Sequence, residues 1–303
     1  MSILDLVGNT PLIALPRFAA LSGNIREEVS LFAKAEFLNP SGSVKDRAVR
    51  GIVKAALASG LLRHGKTLVD SSSGNTGIGY AMAGAALGFP VKIFLPANAN
   101  SERKRMLRIL GAEIVETNPL EGSDGAYLAV RAEVESNKER YFYSDQYSNA
   151  ENWRAHYLNT AAEIWQQTDG KITHFVAIAG TSGTFIGTSR RLKELNPKIK
   201  CLLVQPDSPF HGIEGTKHLA SALPVAIFDK NVADSTIEVN TEESYRAARE
   251  LAISEGVFAG ISAGANCAAA RRLCAELSAP ACVVTVLCDS GSRYLSEDFW
   301  EAV

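Results

Sequence analysis

The chain has 303 residues, of which 46% are hydrophobic and 21% are charged, and its formal net charge is −2. This composition is typical of a soluble globular protein with two domains or lobes, and it gives no indication of a nucleic-acid or membrane-surface partner. The first eleven residues contain no basic segment, so we expect no signal peptide, and the longest apolar runs are too short to span a bilayer.

Strand and helix patterns alternate along the first half of the chain. We predict strands at 29–36, 67–70, 91–95, 112–116 and 141–144, and helices at 46–59, 78–87, 101–110 and 122–137. This alternation favours a parallel sheet with helices on both faces. Residues 60–67 match the P-loop pattern letter for letter, but they follow a helix and precede a strand. A P-loop follows a strand and opens a helix, so we reject that interpretation.

The most informative stretch of this half is Asn39-Pro40-Ser41-Gly42-Ser43-Val44-Lys45-Asp46-Arg47. Pro, Ser and Gly predict a loop, and Ser43 suits the N-cap of the helix that follows. Lys45 would then lie in the first helical turn, where the positive end of the helix dipole disfavours a protonated amine. An unprotonated lysine can attack a carbonyl carbon and form a Schiff base. Lys45 is therefore the candidate nucleophile, and a solvated surface lysine is the alternative.

The second half continues the same pattern. We predict strands at 174–179, 201–204, 236–239 and 282–287, and helices at 149–167, from Thr184 to Leu195, at 242–255 and at 260–277. Residues 206–233 are irregular, and we expect them to line the entrance of a site, with His211 and His218 as candidate substrate contacts. The spacing of these histidines is not that of a metal site.

All five cysteines lie in the last third of the chain: Cys201, Cys267, Cys274, Cys282 and Cys288. Their number is odd, and no two of them form a C-x-x-C pair. We therefore expect reduced, mostly buried thiols in a cytoplasmic protein.

Two loops of small residues, 71–77 and 180–184, each follow a buried strand and precede a helix. Small residues allow a ligand to approach the backbone closely, and a helix N-terminus attracts an anion. The hydroxyls of 180–184 favour a phosphate, whereas the amide of Asn75 suits a carboxylate or a ring oxygen. In a parallel sheet such loops line one crevice at the carboxyl ends of the strands. The alternative is that both loops are only tight turns.

A third turn, Gly260 to Gly264, places Ser262 at the start of a helix. Its hydroxyl can cap that helix, or it can contact a ligand from the side opposite the lysine. A reactive lysine, a phosphate loop (180–184) and a carboxylate loop (71–77) in one α/β crevice together indicate pyridoxal phosphate acting on an amino acid.

With these motifs the chain resembles the cysteine synthase family (O-acetylserine sulfhydrylases, B-type-like) of fold-type II pyridoxal-phosphate enzymes, which also includes the core of cystathionine β-synthases. The resemblance covers nearly the whole chain and rests on residues 8–12, 39–47, 73–77, 145–147, 180–184, 260–264 and 293–296. It implies an α/β fold of two open, mostly parallel twisted sheets with helices on both faces, as in the tryptophan synthase β chain. It also implies a smaller mobile N-terminal domain, 37–145, and a larger cofactor-anchoring domain, 1–36 with 146–303.

The resemblance further implies a role for each matching residue. Lys45 would form the Schiff base, Asn75 would bind the ring hydroxyl oxygen of the cofactor, and Ser262 would face the pyridine nitrogen. The phosphate would be held by Gly180, Thr181, Ser182, Gly183 and Thr184. The substrate carboxylate would be held by Ser72, Ser73, Gly74, Thr76 and Gln146. Two positions depart mildly from the family pattern, since Ser72 replaces a usual Thr and Ser182 replaces a frequent Gly.

The implied reaction makes L-cysteine from O-acetyl-L-serine and sulfide through an aminoacrylate intermediate, with Lys45 moving the Cα proton. Alternatives in the same fold are O-phosphoserine as donor, or homocysteine, a thiocarboxylate or an amine as acceptor. A serine or threonine dehydratase is a further alternative, although such enzymes usually carry a glycine run in the phosphate loop. A non-catalytic regulatory relative is another, and the presence of Lys45 argues against it. Family members are commonly homodimers, so we expect a homodimer here.

Overall fold

A computed structural model of the chain describes residues 1–72, 74–278 and 280–301. Within these ranges the strands are β1 (Leu12–Ala14), β2 (Val29–Ala35), β3 (Thr67–Ser71), β4 (Val91–Pro96), β5 (Glu113–Thr117), β6 (Tyr141–Tyr143), β7 (His174–Ile178), β8 (Lys200–Pro206), β9 (Ser235–Val239) and β10 (Ala281–Leu287). The helices are α1 (Pro16–Ala20), α2 (Lys45–Ala58), α3 (Asn75–Leu87), α4 (Ser101–Ile109), α5 (Gly122–Ser136), α6 (Ala150–Ala155), α7 (Ala161–Gln167), α8 (Gly183–Leu195), α9 (Thr241–Glu255) and α10 (Ile261–Glu276). A π-helical segment, His156–Thr160, joins α6 to α7.

The strands form two sheets. The larger sheet has the order β1-β2-β10-β7-β8-β9, and the smaller has the order β5-β4-β3-β6. Only β1 pairs antiparallel with its neighbour, and all other pairs named for the described residues are parallel. Two open, mostly parallel sheets with α-helices confirm the predicted fold class.

Burial explains why these segments become strands and helices. The central strand β10 reads Ala-Cys-Val-Val-Thr-Val-Leu, and its last five residues are all buried. Such a continuous apolar run is typical of a parallel strand covered on both faces. Helix α10 packs closely on α9, since a Cβ on Gly264 would lie 2.2 Å from the carbonyl oxygen of Ser244. Only glycine permits this approach of the two backbones.

Separate apolar clusters support the two sheets. One cluster joins β2, β7, β8 and β10 to α9 and α10, and another joins β3 and β4 to α2 and α3. The smaller sheet lies wholly within the predicted domain 37–145, and the strands of the larger sheet lie outside it. The exact domain boundaries and the mobility of the smaller domain stay predictions.

The structure confirms every predicted strand and helix to within a few residues, and it confirms that 206–233 is mostly irregular. The proposed N-cap was wrong by one residue, because Val44 occupies that position and Ser43 Oγ accepts the backbone N–H of Lys45 at 3.3 Å. Strand β1, helix α1 and the π-helical segment were not predicted. All five cysteines are free thiols, of which Cys201, Cys267 and Cys274 are buried. None of the described helices combines the length and apolar character needed to cross a membrane.

Candidate cofactor and substrate site

A cavity of about 410 Å³ opens at the carboxyl ends of β3, β4, β7 and β10. It is lined by almost all of the site residues predicted from the sequence: Lys45, Ser72, Gly74, Asn75, Thr76, Gln146, Gly180, Thr181, Ser182, Gly183, Thr184 and Ser262. The remaining one, Ser73, lies outside the described residues. Residues from positions 45 to 262 thus meet in one crevice, as the strand–loop–helix pattern predicted.

Lys45 is the first residue of α2, and the loop before it is attached to the end of β10. The backbone N–H of Val44 donates to the carbonyl of Cys288 at 2.8 Å, and Ser43 forms a β-bridge with Asp289. The lysine therefore enters the cavity from a helix start that is fixed to the central strand of the larger sheet.

Near the start of α2 lies a cluster of four charged side chains, Lys34, Glu36, Arg47 and Glu163. The first three are buried and Glu163 is half-buried. Arg47 makes two bonds of 2.6 and 2.8 Å to Glu36, and two bonds of 2.7 Å to Glu163. Lys34 lies 2.6 Å from Glu163. Burial would raise the pKa of Glu163, but its bonds to Arg47 and Lys34 outweigh burial and lower the pKa to about 2. The cluster is neutral overall and closes on itself, which is what a buried set of charges requires.

The phosphate loop combines a close approach with free backbone donors. A Cβ on Gly180 would lie 2.3 Å from the carbonyl oxygen of Gly215, so this position accepts only glycine. Ser182 has a φ of +63° and no side-chain capping bond, and α8 begins at the next residue. A φ in this region favours glycine, which explains why glycine is frequent here in the family that the sequence resembles. The first N–H groups of α8 have no partner inside the helix and suit a phosphate.

Behind this loop, His156 holds one of its hydroxyls. His156 Nε2 lies 3.3 Å from Thr184 Oγ1, and its Nδ1 lies 2.9 Å from Thr160 Oγ1. Burial, together with the charge of Arg47, lowers the pKa of His156 to about 3, so the ring is neutral at pH 7. The π-helical segment is what brings this histidine against the loop.

The carboxylate loop is stabilised by its own hydroxyls. Ser72 Oγ accepts the N–H of Gly77 at 3.0 Å, and Thr76 Oγ1 donates to Gln146 Oε1 at 2.7 Å. Gln146 Nε2 donates to the carbonyl of Ser71 at 2.8 Å, and its backbone N–H donates to the buried carboxylate of Asp70 at 3.2 Å. Gln146 therefore joins residues 71 and 76 of this loop to the segment between β6 and α6.

Among the residues of the site that were not predicted are Cys288 and Tyr294, which line the cavity, and Asp289 and Arg293, which bond Asn75. Asn75 Nδ2 donates to Asp289 Oδ2 at 2.7 Å, Tyr294 OH donates to the same oxygen at 2.8 Å, and Arg293 donates to Asn75 Oδ1. One of the two N–H groups of Asn75 remains for a ligand. Cys288 lies beside Ser262, and burial raises the pKa of its thiol to about 11. The signal that could have found Cys288 and Asp289 is their position directly after the last buried strand.

The entrance is bridged by two ion pairs between the smaller sheet's helices and the irregular segment. Arg103 of α4 lies 2.5 Å from Glu214, and Lys217 lies 2.8 Å from Asp124 of α5. Residues 211 and 214–217 of the segment 206–233 thus line the cavity, and its role as an entrance stays a prediction. His211 lines the cavity, whereas His218 is not among its lining residues and bonds Ser221 Oγ at 2.8 Å.

This donor set fits pyridoxal phosphate. The phosphate suits the loop at the N-terminus of α8, where neither Gly180 nor Gly183 has space for a Cβ. A lysine, an amide and a hydroxyl line the same cavity. For Gly183 the obstacle is Asn152 Oδ1, which would lie 2.0 Å from an added Cβ. These groups match the anionic tail, the aldehyde, the ring oxygen and the ring nitrogen of that cofactor.

Comparison with known proteins agrees with this fit. Residues 3–289 match the family described as "Pyridoxal-phosphate dependent enzyme". The chain is 49% identical to the cysteine synthase of Aquifex aeolicus, covering 97% of this chain and 90% of that protein. It is 34% identical to the O-acetylserine dependent cystathionine beta-synthase of Bacillus subtilis, covering 99% and 97%. The crystal structure of cysteine synthase (OASS) from Entamoeba histolytica superimposes with a TM-score of 0.94 at 33% identity, covering 99% and 90%.

Proposed function

Because the chain belongs to the family of pyridoxal-phosphate dependent enzymes, we propose that it makes L-cysteine from O-acetyl-L-serine and sulfide by β-replacement. The observation that supports this proposal most directly is the meeting of three features in one cavity: Lys45, the phosphate loop 180–184 and the carboxylate loop with Gln146. A cysteine synthase is among the relatives that match this chain over nearly its whole length.

Each residue contributes a defined step. When bound, pyridoxal phosphate supplies an aldehyde that condenses with amines and a ring that withdraws electrons. Lys45 Nζ would hold the cofactor covalently, and as a free amine it would accept the Cα proton of the substrate. Thr76 and Gln146 bind and orient the substrate carboxylate, so that the Cα–H bond faces Lys45. Asn75 would donate its remaining N–H to the ring oxygen.

Ser262 sets the choice of reaction. Its side chain is buried at the N-terminus of α10 and faces the site. A hydroxyl is too weak an acid to protonate a pyridine nitrogen fully, so negative charge on Cα is relieved promptly by loss of the β-acetoxy group.

We expect Ser262→Asp to lower kcat for cysteine formation about tenfold, because a carboxylic acid partner would hold the charge on the ring instead. The measurement is the rate of acetate release under saturating O-acetylserine and sulfide. Ser262→Ala, which removes the hydroxyl without adding an acid, is the matched control and should lose less. An unchanged rate in Ser262→Asp would contradict this role.

The proposed function is tested on the purified holoenzyme. We expect cysteine to form from O-acetylserine and sulfide. We also expect that borohydride reduction, carried out before substrate is added, leaves a pyridoxyl group on Lys45, and mass spectrometry of peptides locates this group. Parallel assays replace the donor by O-phosphoserine and the acceptor by homocysteine, since one relative is named for cystathionine synthesis. A pyridoxyl group elsewhere, or no cysteine with any donor, would refute the proposal.

Two further features stay predictions, the first drawn from the resemblance and the second from the cysteines. A homodimer is expected because family members commonly form one, and a cytoplasmic location is supported by the free cysteines.

A further inference from the structure

Asn152, on α6, joins two parts of the site that are far apart in sequence. It is buried, with 2% of its surface exposed. Its Nδ2 donates to the carbonyl oxygen of Gln146 at 2.7 Å and to Thr181 Oγ1 at 2.9 Å. Both N–H groups of this single amide are therefore used, one toward the carboxylate loop and one toward the phosphate loop.

The other side of the same amide also touches the phosphate loop. A Cβ on Gly183 would lie 2.0 Å from Asn152 Oδ1, so the amide packs against the first residue of α8. Asn149 fixes the helix start, since its side chain accepts the N–H of Glu151 and donates to the carbonyl of Ser144 at 2.9 Å. The Asn152 amide therefore lies against the phosphate loop with its oxygen and bonds it with its nitrogen.

From Gln146 the contacts continue to the substrate side. The Gln146 side chain bonds Thr76 Oγ1 and the carbonyl of Ser71, which belong to the carboxylate loop. Hydrogen bonds thus join Thr76 to the Gln146 side chain, the Gln146 backbone carbonyl to Asn152, and Asn152 to Thr181. The series passes from side chain to backbone within Gln146. An aliphatic side chain of similar size at 152 would leave the Gln146 carbonyl and the Thr181 hydroxyl without this donor.

We propose that Asn152 is a positioning residue that couples the two loops, so that binding of an amino-acid carboxylate changes the hold on the cofactor phosphate. By linkage, the phosphate loop changes the affinity for the amino acid to the same extent. The identity of the two ligands rests on the function proposed above, whereas the coupling rests on the hydrogen bonds of Asn152.

The test uses the holoenzyme and L-serine, whose hydroxyl is a poor leaving group, so that it binds without rapid elimination. Binding is recorded by the absorbance of the cofactor, and the state of the phosphate by its ³¹P NMR signal. In the wild type we expect L-serine to move the phosphorus signal. Asn152→Ala removes the bonds to Gln146 and to Thr181. We expect L-serine to bind this variant about tenfold more weakly, the effect of losing the one buried hydrogen bond that supports Gln146, and to leave the phosphorus signal in place.

Asn159→Ala is the matched control. Asn159 lies in the π-helical segment that follows α6, and its amide also donates to a backbone carbonyl, that of Ala155 at 3.0 Å, but it is not among the residues that line the cavity of the site. This variant should behave as the wild type in both measurements. A phosphorus signal that moves equally in the wild type and in Asn152→Ala, or in neither, would overturn the coupling.

Thr181→Val tests the other end of the same bond and does not depend on the folding of Asn152→Ala. We expect Thr181→Val to weaken L-serine binding although residue 181 belongs to the phosphate loop. We also expect the double variant to bind L-serine no more weakly than the weaker single variant, because both changes remove one pathway. Additive losses would show that the two residues act independently. A wild type whose absorbance does not respond to L-serine would instead refute the amino-acid site of the proposed function, and the coupling with it.

Discussion

Replacing Lys45 by alanine is expected to lower kcat for cysteine formation by about 10³-fold or more. On the proposed function, the variant would lose both the covalent attachment of the cofactor and the amine that accepts the Cα proton, and general base catalysis alone contributes about 10²–10⁴-fold. The phosphate loop does not depend on this side chain, so we expect the cofactor still to bind, but without a borohydride-stable bond. The rate is measured by the cysteine formed from O-acetylserine and sulfide at saturating concentrations.

Lys54→Ala is the control for this change. Lys54 lies on the same helix α2, its side chain is half exposed, and its nearest acidic partner is Asp5 at 3.7 Å. Its loss should leave kcat unchanged. Activity of Lys45→Ala within tenfold of the wild type would show that another group takes the Cα proton.

Replacing Arg47 by methionine is expected to lower the free energy of unfolding by about 3–5 kcal/mol, the usual cost of removing one partner from a buried ion pair. Glu36 has no exposed side-chain surface, and it would lose both of its bonds to the guanidinium. Glu163 would keep only Lys34 as a cationic partner among the described residues. The measurement is a urea titration at pH 7, which reports the midpoint and slope of unfolding.

The pH dependence of the same cluster has a defined sign. The pKa of Glu163 is lowered to about 2, below its value near 4.5 in the unfolded chain, and the pKa of Glu36 is lowered as well. The stabilisation by these carboxylates is therefore complete above pH 4.5 and is lost as the pH falls toward 2. We expect the difference between wild type and Arg47→Met to shrink over that range.

Arg50→Met provides the control, because Arg50 lies on the same helix and donates to the carbonyl of Val7 at 2.9 Å rather than to a buried carboxylate. It should cost about 1 kcal/mol or less. A loss of similar size in both variants would mean that the charge cluster contributes little beyond packing.

The order of strands and helices could be predicted from the sequence because burial imposes a repeating pattern on each segment. The apolar residues of 282–287 are enough to predict a buried strand. Small residues after such strands predict the loops that face the cavity. Lys45 and the loop 180–184 could be assigned because their chemistry depends on a helix start, which is a local feature.

Contacts between distant side chains could not be predicted in this way. Asn152 and Thr181 are 29 positions apart, and Arg47 and Glu163 are 116 positions apart. No periodicity relates such pairs. Asn152 on α6 meets the loop before α8, and Arg47 on α2 meets Glu163 on α7, only through the tertiary packing of the chain. The π-helical segment was missed for a related reason, since its pattern along the chain looks like that of an ordinary helix.

The position of β10 has a consequence for how the protein forms on the ribosome. This strand lies between β2 and β7 at the middle of the larger sheet, yet it is the last of the ten described strands to be synthesised. The four strands of the smaller sheet are contiguous in the chain and can assemble while translation continues. A nascent chain released before residue 281 would have a complete smaller sheet but a larger sheet that lacks β10. The edges of β2 and β7 would then be exposed and open to aggregation.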